Sequence, residues 1–116
     1  MVDDDEVQLT IADTILQSSY AIFTAKSGHD ALQMIYQGFI PDLILLDILM
    51  PQMDGWETFN RFKAISLLKS VPIAFITSET EESSKNRAYA LKASDYITKP
   101  YSSAELLDRV SKLLGE

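Results

Sequence analysis

The most constraining feature of this chain is the run Leu43-Ile44-Leu45-Leu46, apolar at every position with no polar alternation. A strand with one wet face alternates, whereas a strand covered on both faces, as in a parallel sheet, reads as continuous apolar residues. Ile73-Ala74-Phe75-Ile76-Thr77, Tyr20-Ala21-Ile22-Phe23-Thr24-Ala25 and the shorter Tyr96-Ile97-Thr98 repeat the theme. Between them lie stretches with helix-start signals. Ser27 is followed three residues later by Asp30, Asp54 by Glu57 and Ser102 by Glu105, each pairing a capping oxygen with an acid in the first turn. Pro41 and Pro72 stand just ahead of apolar runs, where a missing N–H and a fixed φ end a preceding helix. Strands alternating with helices at this spacing predict a parallel sheet with helices on both faces. The first segment carries two patterns: Val7, Ile11 and Ile15 recur at helical spacing, while Val7, Leu9 and Ile11 also alternate. It is read as a helix.

At 116 residues the chain has the length of one domain, and with no cysteine it has no disulfide, thiolate metal site or cysteine nucleophile. Its uninterrupted apolar runs stop far short of the ~18 residues of a membrane span, and its start lacks signal-peptide character, so the expected location is cytoplasmic. Ten basic against 17 acidic residues leave a net charge of −7, which argues against gripping nucleic-acid backbones and is compatible with a divalent cation, a basic partner or plain solubility.

In an open parallel sheet, ligands bind beyond the carboxyl ends of the strands. The residues at those ends are Asp3 and Asp4 after the short Met1-Val2, then Asp47, Thr77 and Lys99. Singly, each has a dull explanation; together they form a site. Mg²⁺ takes carboxylates and phosphate oxygens, a carboxylate can act as nucleophile toward a phosphoryl group, and a hydroxyl and an ammonium can hold the charge on the transferred oxygens.

Val2-Asp3-Asp4, the stretch Asp42 to Gly55 with its Asp47…Met50-Pro51…Asp54-Gly55 pattern, Ile76-Thr77-Ser78 and Asp95-Tyr96-Ile97-Thr98-Lys99-Pro100-Tyr101 together resemble the receiver domain of two-component response regulators, of the chemotaxis-regulator type. The resemblance implies a flavodoxin-like α/β fold, a doubly wound parallel sheet of order 2-1-3-4-5. It makes Asp47 the phosphate acceptor of a histidine kinase or phosphotransfer protein. Asp3, Asp4, Asp47 and the backbone carbonyl of Leu49 become the Mg²⁺ ligands. Thr77 and Lys99 stabilise the phosphoryl group, and Thr77 with Tyr96 forms the switch. The surface that changes is the fourth helix, fifth strand and fifth helix, here Ser83 to Leu91, Tyr96 to Thr98 and Ser103 to Leu114. No external substrate is turned over, and no binding to nucleic acid or membrane is expected of this domain.

Only Met1 and Val2 precede Asp3, where the family has a full central strand, so the expectation is a single receiver domain over 1–116 with its first strand reduced to a remnant and no output domain. Three outcomes follow: a damaged fold; a gap filled by a second copy through strand addition or swapping; or Val7 to Ala12 leaving its helix to supply a strand. Truncation with compensating self-association, by swapping or through the helix 4/strand 5/helix 5 face, is the favoured expectation. Lys92 stands where the family has glycine, and the Gln17-to-Tyr20 link is short. Trp56, Phe59 and Phe62 read as core packing, His29 as a surface residue, and Glu79, Glu81 and Glu82 as a solvated loop and helix start. Two other classes fit part of the pattern: a non-cycling interaction module with a disabled metal site, and an Mg²⁺-dependent aspartyl-phosphatase. The second needs an acid two residues after the nucleophile, where this chain has Leu49. A flavin site lacks its phosphate-cradling loop.

Overall fold

A computed structural model describes all 116 residues. Three parallel strands, β1 (Ile44–Leu46), β2 (Ile73–Thr77) and β3 (Asp95–Thr98), lie in the order β1-β2-β3. Five helices surround them: α1 (Glu6–Leu16), α2 (Gly28–Tyr36), α3 (Gly55–Lys63), α4 (Glu82–Ala90) and α5 (Ser103–Leu113). Val2 extends the sheet by one residue, bridging in parallel to Leu46 on one side and Ala25 on the other. The order in space is therefore Ala25, Val2, β1, β2, β3, which is the 2-1-3-4-5 winding of a flavodoxin-like sheet.

The unbroken apolar runs are explained by two cores. Ile44, Leu46, Ile73, Phe75 and Tyr96 face a layer made by α2, α3 and α4. Leu45, Ala74, Ile76 and Ile97, the alternate residues, face Ala12 and Leu16 of α1 and Leu106 and Val110 of α5. Each of these residues thus points to one of two dry faces. The spacing-based helix starts are all realised: Ser27 Oγ accepts from Asp30 N, Asp54 Oδ1 from Glu57 N and Ser102 Oγ from Glu105 N, each at 3.0 Å.

One expectation is corrected, and the helix read over the first segment is realised. Tyr20 to Ala25 does not form a strand; only Ala25 pairs, because Met1 and Val2 are the sole neighbours on that side and the rest of the run has nothing to ladder with. Val7 to Ala12 stays in α1 and supplies no strand. The face α1 buries is Leu9, Ala12 and Leu16, leaving Val7 and Ile11 exposed. Phe59 and Phe62 are buried as expected, while Trp56 is half-buried with the Arg87 guanidinium 4.3 Å above its ring. His29 is exposed.

Lys92 ends α4 with φ +66°. Around it Ala93 N donates to Ala88 O and Lys92 N to Tyr89 O, both at 3.0 Å, the paired bonds of a helix stop that favours glycine at Lys92's place. A side chain in that left-handed conformation costs roughly 1 kcal/mol. Lys92→Gly is accordingly expected to raise the unfolding free energy by about 0.5–1 kcal/mol, read as a higher denaturant midpoint at unchanged slope. A lower midpoint would mean that the lysine side chain contributes more than its backbone strain costs.

Candidate functional site

The carboxyl ends of Val2, β1, β2 and β3 open on one rim, and the loops leaving them carry the acids. Asp3 follows Val2, and its backbone N–H donates to Ala25 O at 3.1 Å, so the sheet fixes its direction. The Asp5 N–H donates to Asp3 Oδ1 at 3.0 Å, while Asp5's own carboxylate caps α1 by accepting from Val7 N. Asp47 follows β1, with its N–H on Val2 O at 2.9 Å and its Oδ1 accepting from the Ile48 N–H at 2.9 Å. The two-residue strand therefore positions both acids: one of its peptide groups holds Asp47, and the chain continues directly into Asp3.

Asp3 is fully buried and Asp47 nearly so, whereas Asp4 is exposed. One carboxylate oxygen from each of the three lies within 4.8 Å of the others. Lys99, directly after Thr98 at the end of β3, reaches over them: its Nζ stands 2.6 Å from Asp3 Oδ2 and 3.7 Å from Asp47 Oδ2. The site is thus one cation facing two buried acids with a third acid at the mouth. Burial pushes the Asp47 carboxyl up to about 6, with the neighbouring Asp3 charge pushing the same way and the Lys99 ammonium opposing. An all-oxygen donor set of three close carboxylates suits a hard divalent cation, which would relieve that repulsion.

Thr77, buried at the end of β2, accepts from the Glu79 N–H through its Oγ1 at 3.2 Å. Tyr96, buried on β3, donates its hydroxyl to Glu79 O at 2.7 Å. Glu79 therefore joins the threonine to the tyrosine through its two backbone groups. Leu49 lies at the pocket wall with its side chain exposed. Gly55 closes the loop after β1: a Cβ there would stand 2.2 Å from Asp47 O, so only glycine lets α3 start against the backbone of the acidic residue.

The structure thus gathers Asp3, Asp4, Asp47 and Lys99 about one pocket, with Leu49 on its wall. Thr77 and Tyr96 are linked through Glu79 to one side. Three contributors escaped sequence reasoning. Asp5 orients Asp3 as well as capping α1; its place just ahead of the helical run was the readable signal. Glu79 acts through backbone atoms, which leave no trace in residue type. Tyr101 lines the pocket with a buried hydroxyl that has no hydrogen-bond partner, and burial and then the Asp3 charge raise its ionisation above the usual phenol range.

The sequence matches the response regulator receiver domain family over residues 1–111. It is 36% identical over 115 residues to the alkaline phosphatase synthesis transcriptional regulatory protein PhoP of Bacillus subtilis, covering 98% of this chain and 47% of PhoP. The chain spans about half the length of the curated relatives it matches. Among solved structures, the chemotaxis protein CheY4 of Vibrio cholerae superposes with a TM-score of 0.88 at 29% identity, over 97% of this chain and 93% of that one. The BeF₃-activated receiver domain of DrrB superposes at 0.87 with 26% identity, over 99% of this chain and 94% of that one.

Proposed function

Because this chain belongs to the response regulator receiver domain family, we propose that it is the phosphoacceptor of a two-component relay, with Asp47 receiving a phosphoryl group from a histidine kinase or phosphotransfer protein. The supporting observation is the Lys99 ammonium set between two buried carboxylates, 2.6 Å from Asp3 and 3.7 Å from Asp47. A carboxylate oxygen of Asp47 attacks phosphorus, the bond from phosphorus to the donor nitrogen breaks, and that nitrogen keeps the electron pair. Asp47 suits this role because its Oδ1 is held by the Ile48 N–H, which fixes the rotamer before the donor arrives. Lys99 then shifts its charge from Asp3 to the phosphoryl oxygens, and the Thr77 hydroxyl donates to another. Asp3, Asp4 and Asp47 with the Leu49 carbonyl would hold Mg²⁺, which supplies charge neutralisation for the acids and the incoming phosphate.

The same geometry provides a route to a signal. When the Thr77 hydroxyl turns toward a phosphoryl oxygen it leaves the Glu79 N–H, and Glu79 is also what holds the Tyr96 hydroxyl. Loss of one bond to Glu79 frees the other, and the change reaches the face built by α4, β3 and α5, where Arg109 ties α5 to β3 through Asp95 at 2.9 Å.

A magnesium titration followed by thermal unfolding tests the metal half of this reading. A cation bound by the folded chain alone stabilises it by about 2.7 kcal/mol at a hundred times its dissociation constant. The expected result is a saturable rise in Tm that Asp4→Asn weakens. A small phosphodonor should then label the chain once, and only with Mg²⁺ present. A folded sample with no Mg²⁺ response and no labelling assigns the protein instead to non-cycling interaction modules, whose acid cluster is held by Lys99 alone.

A further inference from the structure

The Tyr101 hydroxyl is the one buried side-chain polar atom of this chain that makes no hydrogen bond. Buried hydroxyls are nearly always paired, because leaving water without gaining a partner is costly. Tyr96 obeys the rule by donating to Glu79 O at 2.7 Å. Tyr101 breaks it in a segment with little backbone freedom. The Lys99 N–H before it donates to Thr77 O at 2.8 Å, Pro100 has its φ fixed by its ring, and Ser102 after it caps α5. The Tyr101 ring packs against the apolar layer that α1 and α5 lay on the sheet, while the residue also lines the acidic pocket with Asp3 and Lys99. Burial first, then the Asp3 charge, keep the phenol protonated, so it is a donor beside a group that can only accept.

Asp3 has both room and need for that donor. It is fully buried, with the Asp5 N–H on Oδ1 at 3.0 Å and the Lys99 ammonium on Oδ2 at 2.6 Å. Those bonds use two of the roughly four acceptor positions of a carboxylate. Lys99 is the only cation lining the pocket. When its charge is drawn to phosphoryl oxygens on Asp47, Asp3 is left as a buried anion with one backbone N–H. Removing one partner from a buried pair strands the other charge out of water. The withdrawal of Lys99 is therefore opposed unless a second donor takes its place at Asp3.

We propose that Tyr101 is a positioning residue of the phosphoryl site, its hydroxyl donating to the Asp3 carboxylate as Lys99 leaves and so freeing the ammonium for the phosphoryl group. This rests on Asp47 being the phosphoacceptor and deepens that reading by naming what holds Asp3 afterwards. The hydroxyl is spare in the resting chain and paired in the phosphorylated one, so its bond adds to the stability of the second state alone. A neutral donor is weaker than an ammonium at a carboxylate. The exchange is therefore reversible: once the phosphoryl group is lost, Lys99 returns to Asp3 and displaces the phenol.

The test compares the parent with Tyr101→Phe, using beryllofluoride and Mg²⁺ as a stable phosphoryl mimic. The resting Tm of the variant should equal or exceed that of the parent, since only an unpaired hydroxyl is lost. Its dissociation constant for beryllofluoride, followed by amide shifts in NMR, should rise about tenfold. A purely structural role would lower the resting Tm and leave that constant unchanged. In the parent with tyrosine labelled by carbon-13 at Cζ, the Tyr101 signal, assigned by its loss in the variant, should move downfield with beryllofluoride and stay in place with Mg²⁺ alone. Equal dissociation constants, a lowered resting Tm or an unmoved Cζ signal, in a parent that does bind beryllofluoride, overturn the role of Tyr101 and leave Asp47 as acceptor. A cross-peak from the Tyr101 hydroxyl proton to the fluorines overturns it too, by placing the phenol on the phosphoryl mimic. A folded parent that binds no beryllofluoride rejects the acceptor reading itself, and this inference with it.

Discussion

Asp47→Asn is expected to remove all phosphoryl labelling while making the protein more stable. The amide nitrogen has no lone pair to offer phosphorus and the amide oxygen is a poor nucleophile, so the loss should reach background rather than a fraction. The stability gain follows from linkage. Asp47 has its carboxyl pushed from 3.8 up to about 6 by burial first and Asp3 second. Below about pH 4 it is protonated in both folded and unfolded chains and costs nothing. Between about 4 and 6 the unfolded chain ionises while the folded one holds its proton, so folding stability falls as pH rises through that window. Above about 6 the penalty is complete, on the order of 3 kcal/mol for a shift of about two units. Asparagine keeps the acceptor that the Ile48 N–H uses and carries no charge to bury. The variant should therefore be about 2 kcal/mol more stable than the parent at pH 7 and equal to it near pH 4, by urea unfolding at the two pH values. Labelling that survives in the variant, or a parent stability flat across pH 4 to 6, rejects Asp47 as the buried acceptor.

What was readable in the sequence and what was not divides along a physical line. Ser27, Asp54 and Ser102 act through bonds three residues away, so spacing alone discloses them, and the same holds for the alternate faces of β1 and β2, where every position is apolar. Asp47, Thr77 and Lys99 were placed by a topological rule, that strand ends share a rim, without knowledge of a single distance. The Tyr20–Ala25 run fails as a strand for a reason outside itself: β structure needs a neighbour, and the neighbour here is two residues long. The spacing of Val7, Ile11 and Ile15 discloses α1 as a helix but not the face it buries, which is Leu9, Ala12 and Leu16, with Val7 and Ile11 exposed. Glu79 was invisible since only its backbone takes part. Local rules are written in residue types; rotation and register come from the partner.

Removing the cation should do the opposite of removing the acid. In Lys99→Met the side chain keeps its length and apolar stem but leaves Asp3, which is fully buried, and Asp47 facing each other with no ammonium. Breaking a buried ion pair from one side costs about 3–5 kcal/mol because the remaining charge stays out of water. Against a total of about 5–15 kcal/mol for a typical domain, that is enough to leave the variant marginal at neutral pH. The cost depends on ionisation, since the Lys99 ammonium is the main influence, ahead of the Thr77 hydroxyl, holding the Asp47 carboxyl down against burial and Asp3. Without it, that carboxyl rises further, and the variant should regain stability as pH is lowered toward 4, where Asp47 takes up its proton. Two rescues at pH 7 separate this account from a simple packing loss. Mg²⁺ should restore stability, replacing one charge by another, and adding Asp47→Asn should recover more than Asp47→Asn contributes alone, because the two positions share a partner. A Lys99→Met protein that unfolds equally at pH 4 and pH 7, with neither rescue effective, would show that the lysine contributes its stem and not its charge, and the electrostatic basis proposed for phosphoryl transfer at this rim would fall with it.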